Sequence, residues 1–394
     1  MYDVIVVGAG PAGATAARIC AERGLGVLLL DAASLPRDKC CAGGLTAAAL
    51  PELPTPLPAE LEEQPCSVFR AVWFGEQRDV LRPRPFTVTV DRAAFDFWLV
   101  EAAVRAGARL RDDERLVRLI RLPDSVLAVT SRGSHRARAA IGCDGVNSVV
   151  ARSVRTHAGP APAVLTACAE VAAADTAIAA CTGGGLRVEY GAGPVGYTWA
   201  MPKRGRVNIG LGAPAVAGRE LARRLAAFAA QHGLPEPKPR FHLVPLGHQR
   251  SPVVADNVLL AGDAAALADP FTGEGMRYAL ASGRLAGAVL SDTLSRGLEP
   301  NRLNLAAYSA LCDAWRAEFR AAWRLTALIG RRPRLVQRLA FDNPEVFQSL
   351  LDLADGSRTH RQLWNGLITR SPILAAGSLR ATLVSRRRTG EAGV

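Results

Sequence analysis

The sequence predicts a mixed α/β (α+β) fold, because three kinds of segment follow one another along its 394 residues. A short apolar run at 3–7, typical of a buried parallel strand, leads into a glycine-rich turn and then a run with helical spacing. Strand-like runs dominate 155–250, and aromatic residues recur at helical spacing within 300–375. We therefore expect a Rossmann-like nucleotide-binding unit, an inserted β-sheet unit and a C-terminal helical region.

The turn GAGPAG at 8–13 has the GxGxxG spacing of dinucleotide-binding sites. Its first glycine permits a tight turn, its second lets the backbone approach a pyrophosphate, and its third lets the helix pack closely on the strand. The next apolar strand, VLLL at 27–30, ends at an acid placed to bind a ribose. This order predicts a nucleotide site with its pyrophosphate at the helix N-terminus. The candidate cofactor-binding residues here are Gly8, Gly10, Ala12, Gly13 and Asp31.

The same spacing recurs in GAGPVG at 191–196, but its surroundings differ. Strand-like runs flank it on both sides, and Pro214 stands where the first motif has its ribose-binding acid. We expect a connection between two strands, with a nicotinamide-binding site as the alternative.

The composition is that of a globular protein with a basic surface. Hydrophobic residues make up 49% of the chain, charged residues 21%, and the net charge is +12. Such a surface favours phosphate-bearing small molecules or anionic lipid headgroups. The arginines are mostly scattered and no DNA- or RNA-binding signature is present, so nucleic acid is not expected. The basic runs at 331–334 and 386–388 are interpreted as solvated faces or as a contact with an anionic membrane.

Other features bear on the compartment and on metals. The eight cysteines have no regular spacing, the N-terminus enters a strand pattern without a secretory leader, and no uncharged apolar run could span a bilayer. We expect reduced thiols and a cytoplasmic location, with any membrane contact peripheral to the inner face. The six histidines lack a spacing such as HxxxH, so no metal is expected.

Two further motifs follow the first along the chain: CDGVNS at 143–148 and GDAAALADPFTGEGM at 262–276. Together the three resemble the FAD-binding fold of the aromatic hydroxylases and their relatives, which implies FAD as cofactor. The resemblance implies that Asp263 binds the ribitol chain, that Asp144 supports the fold around the cofactor and that Arg92 contacts it. Backbone N–H groups at a helix N-terminus would stabilise negative charge on reduced flavin. The other cofactor-binding residues implied are Gly262, Pro270, Gly273, Gly275 and Met276.

Two stretches are similar to one branch of that fold. PRDKCCAGGLT at 36–46 and GYTWAMPKRGRVNIGLG at 196–212 resemble the corresponding stretches of the geranylgeranyl reductase family. That resemblance implies an enzyme that uses reduced FAD to saturate carbon-carbon double bonds in prenyl chains of a lipid, pigment, quinone or diphosphate. Cys40 stands where the family has proline and Ala42 where it has glycine, but Cys41 stays in register.

Saturating a prenyl double bond requires a hydride and a proton. Cys41 is the candidate catalytic residue, as proton donor or as a guard of the substrate geometry, with a small buried residue in a tight loop as the alternative. A disulfide between neighbouring Cys40 and Cys41 would be strained and is not expected. Tyr197, Trp199 and Pro202 are expected to line the substrate channel or to pack in a sheet. Lys203 is interpreted as a grip for a diphosphate or phospholipid head, or as a solvated lysine.

The partners and alternatives follow from the same resemblance. The substrate is a prenylated small molecule or lipid, and the electron donor is NAD(P)H or reduced ferredoxin, so an electron-donor protein is a possible partner. An FAD-dependent monooxygenase of a hydrophobic or aromatic substrate is the main alternative, because it shares all three cofactor motifs. The stretch YTWAMP at 197–202 disfavours a flavin halogenase. A non-catalytic flavoprotein is the alternative from another functional class.

The motif positions predict the domain boundaries. We expect the FAD-binding domain at 1–70, 90–154 and 252–298, and the substrate-binding domain at 71–89 and 155–251. The C-terminal helical region is expected at 299–394.

Overall fold

The computed structural model describes residues 1–155, 162–191, 196–247 and 252–370. The strands are β1 (Tyr2–Val7), β2 (Val27–Leu30), β3 (Gly44–Thr46), β4 (Glu62–Cys66), β5 (Val68–Trp73), β6 (Glu76–Leu81), β7 (Thr87–Val90), β8 (Arg109–Arg111), β9 (Leu116–Arg121), β10 (Val126–Thr130), β11 (Gly133–Gly142), β12 (Ala163–Ala172), β13 (Leu186–Tyr190), β14 (Tyr197–Lys203), β15 (Arg206–Gly212), β16 (Arg240–Pro245), β17 (Val254–Ala255) and β18 (Val258–Leu260). The helices are α1 (Pro11–Glu22), α2 (Arg92–Arg105), α3 (Val149–Val154), α4 (Asp175–Thr182), α5 (Gly218–Gln231), α6 (Met276–Ser295), α7 (Ala306–Arg331), α8 (Pro333–Phe341), α9 (Pro344–Ala354) and α10 (His360–Arg370). The predicted mixed fold is confirmed.

The first sheet carries the nucleotide-binding motifs. Its order is β17-β18-β11-β1-β2-β8, with β9 and β10 attached through β11, and β1 runs parallel to both β2 and β11. The apolar run at 3–7 is buried from Val4 onward, as expected for a central parallel strand covered on both faces. The carboxyl ends of β1, β2 and β11 therefore meet at one edge, where a doubly wound sheet binds its ligand.

Helix α1 lies against α6 at backbone-contact distance, because glycines remove the side chains between them. A Cβ atom added to Gly283 of α6 would lie 2.1 Å from the carbonyl oxygen of Ala12, and one added to Gly287 would lie 2.9 Å from that of Ala16. No side chain would fit at the first position without moving a helix. This packing fixes α6, and the loop in front of it, relative to the glycine turn.

The second sheet has the order β16-β12-β15-β14-β13-β5-β6. Helices α4 and α5 cover the face around β12 and β15, where one apolar cluster includes Ile209 and Leu225. Helices α7 to α10 cover the face around β5, where another includes Phe69, Trp73 and Phe347. The predicted C-terminal helices therefore pack on the inserted sheet.

A small third sheet, β3-β7-β4, bridges the other two. Strand β3 pairs with β7 through Gly44 and Thr89, and the Thr89 hydroxyl donates a hydrogen bond of 2.8 Å to the carbonyl oxygen of Pro202 in β14. Because β3 directly follows the stretch 36–43, this sheet holds that stretch against the second sheet.

Two of the predicted domain boundaries fall within strands. We expected 1–70 in the FAD-binding domain, but β5 begins at Val68 and pairs with β13 of the second sheet. We expected 71–89 in the substrate domain, but β7 pairs with β3 and β4 in the third sheet. The local pattern identifies these segments as strands, whereas the choice of sheet depends on distant partners. We keep the rest of the division as a proposal.

Several local predictions are confirmed. Helix α2 begins after Asp91, whose carboxylate accepts hydrogen bonds from the N–H groups of Ala93 and Ala94. The strands flanking the second GxGxxG pair antiparallel, with Tyr190 opposite Tyr197, so that motif connects two strands. Its residues 192–195 lie outside the described residues, as does the basic run at 386–388. None of the described helices combines the length and the apolar character that crossing a bilayer requires.

We predict that Gly283→Ala destabilises the protein by about 1–3 kcal/mol, because the added methyl group forces α6 away from α1. Gly366→Ala on α10 is the control, since its added Cβ meets no other part of the described chain within 4 Å and alanine favours a helix by up to about 1 kcal/mol. Urea unfolding midpoints measure both. Equal midpoints for Gly283→Ala and the native protein would contradict this packing.

Candidate active site

A cavity of about 1020 Å³ has walls from all three sheets and from α7, α9 and α10. Its volume is at the upper end of the range of about 300–1,000 Å³ for small-molecule sites. The sequence-predicted residues in its wall are Gly8, Gly10, Ala12, Asp31, Cys41, Arg92, Asp144, Tyr197, Trp199, Gly262, Asp263, Pro270, Gly273, Gly275 and Met276. Segments more than 250 residues apart in sequence thus meet at one cavity.

The three glycines of the first motif occupy distinct positions. Gly8 has φ +96°, and an added Cβ would lie 2.4 Å from the carbonyl oxygen of Cys143. An added Cβ on Gly13 would lie 1.7 Å from the carbonyl oxygen of Gly8, so α1 packs directly on the turn. At Gly10 the nearest atom, Nη2 of Arg37, is 3.8 Å away. The second glycine therefore leaves open space, which fits the approach of a pyrophosphate.

Asp31 is buried at the end of β2 and holds the turn together. Its Oδ2 accepts a hydrogen bond of 2.8 Å from the N–H of Ala9, and its Oδ1 accepts one of 3.0 Å from the N–H of Ala33. The guanidinium of Arg37 pairs with both oxygens at 3.2 Å. Sequence reasoning missed Arg37, although it lies in the PRDK stretch, because nothing local indicates that it folds back onto Asp31.

The Asp144 carboxylate caps α3. It accepts hydrogen bonds from the N–H groups of Val149 at 2.6 Å and Val150 at 3.2 Å, and from the Ser148 hydroxyl. Burial raises the pKa of Asp144, while these hydrogen bonds act in the opposite direction. Because these hydrogen bonds are all to nearby residues, Asp144 fits the role expected of it, which is to support the fold around the cofactor.

Asp263 faces a cluster of basic side chains. His242 Nε2 lies 3.8 Å from Asp263 Oδ2 and 3.0 Å from Lys39 Nζ. Burial alone would raise the pKa of Asp263, but His242, Lys39 and Arg92 outweigh it and keep the pKa below its usual range. Burial lowers the pKa of Lys39, which the Asp263 carboxylate partly offsets. A polar cofactor would therefore meet an ionised carboxylate here.

Cys41 lies beside Arg92, whose guanidinium makes a two-point pair with Asp96 at 2.9 and 2.8 Å. Burial would lower the pKa of Arg92, but the Asp96 carboxylate and the Cys41 sulfur raise it above its ordinary value. The Cys41 carbonyl oxygen accepts a hydrogen bond of 3.3 Å from the side-chain amide of Asn208. Asn208, buried on β15, also accepts one of 2.8 Å from the Trp199 indole, so it links two predicted site residues.

Aromatic rings form a row on the second sheet. Trp73 and Tyr190 lie 4.9 Å apart between ring centroids, Tyr190 and Tyr197 6.4 Å, and Tyr197 and Trp199 6.1 Å. We call these four residues the aromatic row. Its last three members line the cavity, and the Tyr197 hydroxyl donates a hydrogen bond of 2.5 Å to the carbonyl oxygen of Thr272. The row gives the cavity an apolar wall beside the 262–276 loop.

The structure favours sheet packing for Pro202 and corrects the interpretation of Lys203. Pro202 does not line the cavity: it is buried, and its carbonyl oxygen accepts the hydrogen bond from Thr89. Lys203 is neither a grip for a headgroup nor solvated, because it is buried and its ammonium donates a hydrogen bond of 2.7 Å to Glu170. The partners of these two residues, Thr89 on β7 and Glu170 on β12, are far away in sequence, so the sequence alone did not indicate them.

The aromatic residues of α7 divide between core and cavity. Phe319 is buried against Tyr278 of α6, with ring centroids 5.0 Å apart. Trp315 and Trp323 line the cavity, and the Trp323 indole donates a hydrogen bond of 2.8 Å to the carbonyl oxygen of Gly247. Helix α7 therefore contributes one of these aromatic residues to the core and two to the cavity wall.

Two titratable groups of the 262–276 region and α10 were missed. The Thr46 hydroxyl donates a hydrogen bond of 2.5 Å to Glu274, which lines the cavity, and burial raises the pKa of Glu274 to about 7. His360 Nε2 lies 2.8 Å from Asp269 Oδ2, which ties α10 to the loop. Glu274 lies within the quoted GEGM stretch, but only its tertiary surroundings indicate a perturbed acid. The described residues contain no group of three His, Cys, Asp or Glu side chains that could hold a metal ion.

These residues fit FAD. The helices α1 and α6 both begin at the cavity, and among the described residues no side chain caps either N-terminus. Their first N–H groups are therefore available to negatively charged parts of the cofactor. The open space at Gly10 and the guanidinium of Arg37 suit a diphosphate, and Asp263 offers acceptors for hydroxyl groups.

The comparisons with known proteins decide the family. The FAD binding domain family matches residues 1–54 and 76–317. Digeranylgeranylglycerophospholipid reductase 2 of Methanopyrus kandleri is 30% identical over 349 residues, which span 81% of this chain and 83% of that protein. The chain belongs to the geranylgeranyl reductase family of FAD-dependent oxidoreductases. The predicted family, cofactor and enzyme class are thereby confirmed.

Two further proteins are similar to this chain. The menaquinone reductase of Mycolicibacterium smegmatis is 32% identical over 326 residues, which span 73% of this chain and 76% of that protein. The structure of a geranylgeranyl bacteriochlorophyll reductase-like protein from Thermoplasma acidophilum has a TM-score of 0.71 at 22% identity. It covers 89% of this chain and 99% of its own, and it shows the fold alone.

We predict that Arg37→Ala weakens FAD binding at least about tenfold, since a lost charge-assisted hydrogen bond costs about 1.5–3 kcal/mol. Arg105→Ala, at an α2 position with a side chain that is 63% exposed, is the control and should bind FAD like the native protein. Titration of the apoprotein, followed by flavin fluorescence, gives the dissociation constants. Native affinity in Arg37→Ala would remove Arg37 from the FAD site.

Proposed function

We propose that the protein uses reduced FAD to saturate carbon-carbon double bonds in a prenyl chain carried by a lipid, pigment, quinone or diphosphate. Related proteins bear the names of a digeranylgeranylglycerophospholipid reductase and a menaquinone reductase. Both names denote reductases, and the first names a prenylated lipid. These names therefore support the proposed type of reaction more strongly than they support any particular head group on the substrate.

The observation that carries the proposal is one cavity that joins the glycine turn to an apolar chamber. We define the apolar chamber as the cavity wall formed by Phe69, Phe86, Leu186, Val188, Tyr190, Tyr197, Trp199, Met201, Phe271, Ile329 and Leu350. A prenyl chain is long, flexible and apolar, so burial in such a chamber is favourable by roughly 25 cal/mol per Å² of apolar surface. A substrate bound there lies in the same cavity as the cofactor motifs.

A smaller cavity of about 40 Å³ lies behind the chamber. It shares Tyr190, Phe271, Ile329 and Leu350 with the large cavity, and α8, α9 and α10 close its far side. Its wall among the described residues is almost wholly apolar. This small space adds to the apolar surroundings of the chamber.

Reduction of an isolated alkene needs a hydride at one carbon and a proton at the other, because no carbonyl activates the double bond. FAD, when bound and reduced, supplies the hydride. The chain must then hold the alkene against the cofactor, exclude water and provide an acid. Cys41 and Glu274 both line the cavity and carry exchangeable protons.

We assign the proton to Glu274 and the positioning of the alkene to Cys41. The Thr46 hydroxyl occupies Oε1 of Glu274, which leaves Oε2 to carry the proton. With its pKa raised to about 7 by burial, Glu274 keeps a usable proton near neutral pH. Cys41 lies beside Arg92, and its carbonyl oxygen accepts a hydrogen bond from Asn208, which in turn accepts one from Trp199. Its small side chain forms part of the cavity wall.

The electron donor and the compartment belong to the same proposal. We infer that NAD(P)H or reduced ferredoxin reduces the FAD. A peripheral contact with anionic lipid on the cytoplasmic side is supported by the net charge of +12 and by the exposed arginines at 331–334.

The activity is tested anaerobically with reduced holoenzyme and three substrates: a digeranylgeranyl glycerophospholipid, a menaquinone and geranylgeranyl diphosphate. We expect at least one product to gain two hydrogens per reduced bond by mass spectrometry, and a fully saturated analogue to remain unchanged. A product that gains one oxygen atom, formed only in air, would replace the reductase with a monooxygenase.

The role of Glu274 predicts a pH dependence. As pH rises through about 7, Glu274 loses its proton, so kcat/KM should fall. Glu274→Gln should lower kcat by about 10²- to 10⁴-fold and abolish this decline. Glu318→Gln is the control, because the Arg361 pair holds the pKa of Glu318 below its usual value against burial, and the decline should persist.

Cys41→Ala distinguishes the two candidate acids. It should alter KM and the rate but leave the decline near pH 7 in place. A decline that disappears in Cys41→Ala and persists in Glu274→Gln would assign the proton to the thiol instead.

A further inference from the structure

A second pair of reactive groups lies at the rim of the cavity. The sulfur of Cys40 lies 2.6 Å from that of Cys168, although the residues are 128 positions apart in sequence. Cys40 belongs to the stretch before β3, and Cys168 lies in the middle of β12. Both line the cavity, and all eight cysteines are free thiols in the structure. A disulfide bond joins sulfurs at about 2.05 Å, so this pair needs only a small displacement.

The backbone on both sides of the pair is already docked. In the register of β12 and β16, Cys168 stands opposite Arg240. Arg240 Nη1 lies 3.1 Å from Asp38 Oδ2, and the Arg240 carbonyl oxygen lies 3.3 Å from the Cys40 sulfur. Lys39, which lies between Asp38 and Cys40 in the chain, contacts His242 of β16. We call Asp38, Lys39 and Cys40 the clasp, because three consecutive residues each contact the β12–β16 pair.

The two thiols differ in character. The hydrogen bond with Cys168 lowers the pKa of Cys40, partial burial opposes it, and the charges of Arg240 and Lys39 lower the pKa further. The same hydrogen bond and burial raise the pKa of Cys168. Such a pair contains one thiol suited to attack and one suited to resolve the intermediate. Burial instead raises the pKa of Cys20, Cys66, Cys143, Cys181 and Cys312.

We propose that Cys40 and Cys168 form a reversible disulfide that fastens the clasp to the second sheet. The oxidant is a low-molecular-weight disulfide. The Cys40 thiolate attacks one of its sulfurs and releases one thiolate, which gives a mixed disulfide. Cys168 then loses its proton to solvent and attacks the Cys40 sulfur, releasing the second thiolate. Two protein thiols are oxidised, one small disulfide is reduced to two thiols, and excess thiol reverses the exchange.

The clasp adjoins Arg37, which pairs with Asp31 beside the open space at Gly10. A covalent bond at Cys40 therefore restrains the segment that carries Arg37. The oxidised protein should release FAD several-fold more slowly than the reduced protein. This consequence depends on FAD binding and not on the proposed reaction, so failure of the prenyl assay leaves it unaffected.

The test treats the FAD-loaded protein with oxidised glutathione, blocks remaining thiols after denaturation and maps the peptides without reduction. We expect a cross-linked peptide that joins Cys40 to Cys168, a chain lighter by two hydrogens, and reversal by dithiothreitol. Cys40→Ser should abolish the cross-link, and Cys168→Ser should leave glutathione attached to Cys40. Cys41→Ser should keep the cross-link, which separates this pairing from a bond between neighbouring cysteines.

Two results would overturn the proposal. The first is a native chain in which Cys40 and Cys168 stay free after oxidation, or in which Cys40 joins Cys41. The second is a cross-linked protein whose FAD release matches that of the reduced protein, which would refute the fastening of the clasp. Cys40→Ser supplies the reference release rate, because oxidation should not change it.

Discussion

The cavity exists because α1 approaches both the first sheet and α6 at backbone-contact distance. Gly13 lets α1 rest on the Gly8 turn, and Gly283 lets α6 rest on Ala12. These contacts place two helix N-termini, 265 residues apart in the chain, at one cavity. Every other feature of the site is arranged around that pair of helices.

The charges around the cavity follow a consistent pattern. Its buried carboxylates are paired or hydrogen-bonded, as with Asp96 and Arg92, Asp269 and His360, and Asp144 with the start of α3. Such pairing offsets the cost of removing a carboxylate from water. Burial outweighs the hydrogen bonds of Asp144 and of Glu274, and it raises the pKa of Glu274 to about 7. A group of this kind in a cofactor cavity is a candidate for acid-base chemistry.

The sequence was most informative where function depends on local backbone geometry. The glycine turn and Asp31 lie on one strand-turn-helix-strand unit, so their spacing alone predicts that they meet. The stretch GDAAALADPFTGEGM at 262–276 could be assigned to the cofactor site for the same reason, because a strand leads into it and a helix begins at its end. Thr46 with Glu274 and Cys40 with Cys168 were not predictable, because these pairings depend on how distant segments dock. The pairing of Arg37 with Asp31 depends on how the segment after β2 folds back. Lys203 was misread for the same reason, because its partner Glu170 lies on a distant strand, β12.

The account as a whole depends on one cavity serving both FAD and the prenyl chain. The most direct measurement mixes fully reduced, oxygen-free holoenzyme with one equivalent of prenyl substrate and follows the flavin absorbance. The account predicts that the flavin reoxidises at the rate at which saturated product appears. A flavin that stays reduced until oxygen is admitted, with every prenyl substrate class supplied, would contradict it.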